Sequence, residues 1–105
     1  MKEFKHFING EYVASASGKT FENRSPVDNS LIGQVHEAGE AEVDAAVRAA
    51  KAALKGPWSK LTQNQRAAML NKIADRINER FDEFLAAECL DTGKPRSMAS
   101  HIDIP

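Results

Sequence analysis

The side chains able to do covalent or metal chemistry in this 105-residue chain are one cysteine, three histidines and a spread of carboxylates. A lone cysteine with a histidine partner would be a candidate nucleophile. Cys89 instead falls four residues after Leu85 on an apolar stripe, with no histidine close by in sequence, which predicts a buried packing residue. His6, His36 and His101 have no metal-ligand spacing and read as surface or satisfied histidines. Gly10, Gly18, Gly33, Gly39, Gly56 and Gly93 form neither G-x-G-x-x-G nor a P-loop, so no phosphate cradle and no catalytic or cofactor-binding residue is assigned. Asp91 stands apart. It lies just before Thr92-Gly93, a helix-end signature, where the backbone dipole is already negative. Either Lys94 or Arg96 neutralises it, or a cation sits among the carboxylate and backbone carbonyl oxygens.

The composition narrows the classes of partner. Lys plus Arg is 14 and Asp plus Glu is 15, so no basic field exists to attract nucleic acid or an anionic membrane. No apolar run approaches the ~18 residues of a membrane-spanning helix, and Met1-Lys2-Glu3-Phe4-Lys5 leads into no signal-peptide core. A single cysteine excludes an internal disulfide and suits a reducing compartment, so a cytoplasmic location is expected.

The elements that would position these groups are legible in order. Asn9-Gly10 between Phe7-Ile8 and Glu11-Tyr12-Val13 is the signal of a type I′ hairpin. Ala14 to Lys19 is a loop by composition, Thr20 to Asn23 extends before Ser25-Pro26, Asp28-Asn29-Ser30 is a turn, and Leu31 to Glu37 reads as a strand. Gly39 caps a helix with Glu40 and Glu42 in its first turn and Val43, Ala46, Val47, Ala50 and Leu54 as its buried stripe. Gly56-Pro57 stops it, and Trp58 is expected to plug the following corner. Thr62-Gln63-Asn64-Gln65 is a capping box opening a long segment whose stripe runs from Met69 to Cys89. That length predicts a break near Arg80 with Asp82 capping a second helix, a C-terminus at Gly93, and a further helix from Pro95 to about Ile102 with the proline in its first turn. The helices carry more apolar surface than so few short strands can cover, which is the expectation for an incomplete domain, the N-terminal piece of a larger protein or a truncated record.

The chain as a whole resembles the N-terminal part of the NAD(P)-dependent aldehyde dehydrogenase superfamily. The resemblance is carried by Phe7-Ile8-Asn9-Gly10-Glu11-Tyr12-Val13, Ser17-Gly18-Lys19-Thr20-Phe21-Glu22 and Ser25-Pro26. It continues through Glu42-Val43-Asp44-Ala45-Ala46-Val47, Trp58, Gln65-Arg66 and Leu90-Asp91-Thr92-Gly93-Lys94-Pro95. Within the superfamily, His36-Glu37-Ala38-Gly39, Phe81-Asp82-Glu83-Phe84-Leu85 and Ala99 to Pro105 look most like the dehydrogenases of 2-hydroxymuconic or 2-aminomuconic semialdehyde, which act in the degradation of aromatic compounds.

The resemblance implies an α/β fold in which residues 1–105 form a β-hairpin, a short strand and several helices of the NAD-binding domain. It implies oxidation of an aldehyde to a carboxylate with NAD or NADP, through a cysteine thiolate, hydride transfer to the nicotinamide and a glutamate-activated water. Those groups are expected beyond Pro105, so the 105 residues alone are expected to be inactive and poorly folded. A homodimer or homotetramer acting on a small aldehyde is implied, with no nucleic-acid or membrane partner. The resemblance also places Asp91 with the backbone carbonyls of Asn23 and Arg24 at a structural potassium or sodium site found in some members. Arg24 stands where a neutral residue is expected, and its guanidinium can take the ion's place. The alternative to an enzyme is a non-enzymatic helical interaction module presenting the stripe from Leu70 to Cys89 to a partner groove.

Overall fold

In the computed structural model, which describes residues 2–105, the chain begins with β1 (Lys2–Phe4), β2 (His6–Ile8) and β3 (Glu11–Val13). It continues with β4 (Thr20–Arg24), β5 (Leu31–His36), α1 (Glu40–Ala53), a 3-10 turn at Pro57–Lys60, α2 (Gln63–Glu79), α3 (Phe81–Thr92) and α4 (Arg96–Ala99). Two units arise, Met1–Asn23 with Gly33–Leu61, and Arg24–Ile32 with Thr62–Pro105.

The first unit starts from the hairpin. Asn9 and Gly10 take φ of 53° and 82°, as a type I′ turn requires, and pair His6 with Val13, Phe7 with Tyr12 and Ile8 with Glu11. Phe7 and Tyr12 meet with ring centroids 5.1 Å apart. A three-stranded sheet has the order β1-β5-β4. Its β1 lies parallel to β5 in the register Lys2 to Gly33, Glu3 to Gln34 and Phe4 to Val35. No strand is expected at Lys2 to Phe4 from sequence, because three residues without alternation carry too little local signal. The close approach is licensed by Gly33, where a Cβ would lie 2.5 Å from the Lys2 carbonyl oxygen. Gly39 caps α1 in an extended conformation, and only the return half of a capping box exists there: the Glu42 Oε2 accepts from the Gly39 amide at 2.9 Å.

The second unit is organised by helix ends. The Thr62 Oγ1 accepts from the Gln65 amide at 3.2 Å while the Gln65 Oε1 accepts from the Thr62 amide at 2.9 Å, completing the capping box of α2. The break falls at Arg80 as spacing predicts, but Arg80 itself is the N-cap and Asp82 sits inside the first turn of α3. The Arg80 amide still bonds back to the Arg76 carbonyl, leaving no gap in which an aspartate cap could enter. Gly93, at φ 75°, ends α3 and its amide donates to the Cys89 carbonyl at 3.0 Å. Pro95 caps α4 from outside with ψ 146° instead of entering its first turn, and the helix closes at Ala99, with only turns up to Asp103.

Little of the apolar surface is covered. Among the described residues the buried hydrophobic side chains are Leu85 and Ala99, whereas Val43, Val47, Leu54, Met69, Leu70 and Ile73 are all exposed. The stripe of α1, expected to be buried, is therefore open. Cys89 is half-buried, and Trp58 is 42% exposed within the 3-10 turn, so neither is the sealed packing residue that its type suggested.

Candidate functional site

A hydrogen-bonded polar cluster lies in the first unit, around the loop from Ala14 to Lys19. Glu42, in the first turn of α1, is buried and accepts from the amides of both Ala16, in a very short hydrogen bond, and Gly39. The Ala16 amide first, then the amides of Glu42 itself and of Gly39, hold its carboxyl below the usual carboxylate range. One residue earlier in the loop, the Ser15 amide donates to the Nδ1 of His36 at 3.0 Å, and the Ser15 and Ser17 hydroxyls bond each other at 3.0 Å. The Gly18 amide closes the loop onto the Ser15 carbonyl, and the Glu37 amide bonds the Lys19 carbonyl. A stretch with no secondary structure of its own is thus clamped by the end of β5 and the start of α1.

The histidines correct one expectation. His36 has only 9% of its side chain exposed; its Nε2 lies 3.8 Å from the Glu3 carboxylate, too far for a hydrogen bond. The Nε2 atoms of His6 and His36 are both buried without a hydrogen-bond partner among the described residues, and the rings meet edge to face at 6.4 Å. These two are not satisfied surface residues, because β1 and β2 bring both to the end of β5, an encounter that spacing along the chain does not reveal. His101 is exposed, its Nδ1 near the Ser97 carbonyl oxygen at 2.8 Å and the Ser100 hydroxyl at 3.0 Å. No three His, Cys, Asp or Glu residues gather to hold a metal among the described residues.

In the second unit, Asp91 lies exposed in the last turn of α3 and Arg24 is the last residue of β4; Asn23, one residue earlier in β4, belongs to the first unit. The Arg24 Nη1 donates to the Asn29 carbonyl at 2.9 Å, bracing the Ser25–Ser30 turn. In that turn the Ser30 amide and hydroxyl donate to Asp28 at 3.0 and 2.6 Å and hold its carboxyl below its ordinary value. Lys94 meets Asp103 at 2.6 Å and Glu88 at 3.9 Å, and Arg96 lies 3.7 Å from Asp82.

Among the described residues the glycines serve turns, helix ends and the β1–β5 approach, and no step of cofactor chemistry is assigned to these residues.

A family model described as the aldehyde dehydrogenase family matches residues 12–105. The chain belongs to the aldehyde dehydrogenase family. All 105 residues are 67% identical to a 2-hydroxymuconic semialdehyde dehydrogenase of Pseudomonas sp. (strain CF600), of which they cover 22%, and 47% identical to a 2-aminomuconic 6-semialdehyde dehydrogenase of Pseudomonas sp., of which they cover 21%. The fold agrees. An aldehyde dehydrogenase of Bacillus cereus, solved as its NAD+ complex, superposes with a TM-score of 0.93 at 44% identity over 98% of the chain and 21% of that structure. The chain therefore spans about a fifth of the length of the dehydrogenases it matches, and its strands and helices are those of their N-terminal part.

Proposed function

We propose that these residues are the N-terminal segment of an NAD-dependent dehydrogenase that oxidises 2-hydroxymuconic semialdehyde to the corresponding carboxylate. The observation that carries this reading is the identity of 67% with the 2-hydroxymuconic enzyme over the whole chain, against 47% with the 2-aminomuconic one. NAD is the proposed oxidant because a related structure at 44% identity is an NAD+ complex. The segment's part is scaffolding: it supplies the hairpin and helices against which the cofactor and the reacting groups of the remaining chain are held. The complete enzyme is a cytoplasmic homodimer or homotetramer in this proposal, and a helical interaction module has no observation in its favour.

The test is NADH formation by the native polypeptide bearing this segment. Faster turnover per KM on 2-hydroxymuconic than on 2-aminomuconic semialdehyde is expected. Equal rates on both, or a rate dependent on NADP alone, would overturn the assignment.

We further propose that Asp91, with the carbonyl oxygens of Asn23 and Arg24, holds a potassium or sodium ion. A carboxylate in the last turn of a helix is unfavourable against the negative end of the dipole, and a hard monovalent cation with oxygen ligands offsets it. A thermal midpoint of the native protein that is the same in potassium, sodium and tetramethylammonium chloride at equal ionic strength excludes the ion.

A further inference from the structure

The Nδ1 of His36 accepts from the Ser15 amide, so Nδ1 carries no hydrogen and the neutral ring keeps its proton on Nε2. That Nε2 is buried without a hydrogen bond, yet a carboxylate oxygen of Glu3 lies 3.8 Å away on the adjacent strand. The ring therefore has an acceptor role toward the loop and an unused donor 3.8 Å from an anion.

We propose that His36 is an acid-sensitive latch on the Ala14–Lys19 loop, closed when the imidazole is neutral and released when Nδ1 takes up a proton from solvent. The added hydrogen occupies the lone pair that holds the Ser15 N–H, and two hydrogens cannot share it. The imidazolium is then retained by β1, through attraction between Nε2–H and Glu3, while the Ser15 amide turns to water. The ionisable groups around the ring are Glu3 on β1, 3.8 Å from Nε2, with Lys5 4.0 Å from Glu3, and His6 on β2, edge to face with His36. Glu42, on α1, accepts from the next amide, Ala16, so the latch concerns the Ser15 contact alone.

The test is hydrogen exchange of the Ala14–Lys19 peptide in the native polypeptide, expressed as protection factors so that intrinsic exchange is removed, from pH 8 to about pH 5. Protection is expected to fall about fivefold across the titration of His36, the scale of one hydrogen bond. In His36→Asn the amide oxygen can accept from Ser15 and does not titrate, so protection is expected to stay level. A flat profile in the wild type overturns the latch. So does the same fall in His36→Asn, and the wild-type arm stands even if the asparagine variant fails to fold.

Discussion

Replacing Gly33 by alanine tests how β1 is held. Gly33 is buried in β5, opposite Lys2, and an added Cβ would stand 2.5 Å from the Lys2 carbonyl oxygen and 2.7 Å from a ring carbon of Phe4. The ring can turn away, but the carbonyl is backbone. The shortfall is about 0.9 Å against the 3.4 Å at which ordinary contact begins. Moving β1 back by that much stretches ladder hydrogen bonds from about 2.9 to about 3.8 Å, outside their range. Two or three such bonds at ~1 kcal/mol each give a cost of about 2–3 kcal/mol, within the ~1–3 kcal/mol seen for overpacked sites. The cost cannot exceed that of releasing β1 altogether. Urea unfolding of the native polypeptide measures it, and the same substitution in a variant that begins after Phe4 serves as control, because the clash is then absent. A loss below about 0.5 kcal/mol, the range of neutral surface changes, would refute the reasoning. An equal loss in both backgrounds would do so too, since it would place the cost somewhere other than β1.

Further predictions follow from the helix ends and the loop clamp. Gly93→Ala forces a side chain into φ 75° with its Cβ 3.1 Å from both Pro26 and Val27, and is expected to cost at least the ~1–2 kcal/mol of the left-handed conformation, read as a lowered thermal midpoint. Thr62→Ala removes half of the α2 capping box and is expected to cost ~1 kcal/mol by denaturation, whereas Thr62→Ser restores it. Glu42 has its carboxyl held below its ordinary value of 4.5 by the amides of Ala16, Glu42 itself and Gly39, so its contribution to stability is present above that pH and is lost as pH falls through the lowered value. Stability measured against pH should show that acid loss in the wild type and a smaller one in Glu42→Gln. Cys89→Ala is expected to leave kcat within about twofold of wild type, since the thiol is half-buried in a helix with no histidine beside it in sequence; a collapse of kcat with the fold intact refutes this.

Much of the local architecture was legible because its causes lie within a few residues of one another. Asn9-Gly10 dictates the hairpin register, Thr62 and Gln65 dictate where α2 begins, and Gly93 dictates where α3 ends. The finer boundaries were less legible. The backbone continues through Arg80 by its own hydrogen bond, which left Asp82 no place to cap, and Pro95 satisfies α4 with its carbonyl from outside the helix. The family was legible for a related reason, since motifs such as Leu90 to Pro95 are short runs kept in fixed order along the chain.

Sequence by itself thus determined the turns, caps and helix periods, and with them the aldehyde dehydrogenase family, because each rests on hydrogen bonds or spacings between residues a turn apart. Only the tertiary structure decided the pairing of β1 with β5 and the grip of Glu42 on Ala16. It alone joined His36 to Ser15 and Glu3, and it left the stripe of α1 exposed. Those contacts join residues tens of positions apart. Their partners are chosen by which strand edge is open and which backbone can approach closely, as at Gly33, and no local pattern encodes that choice.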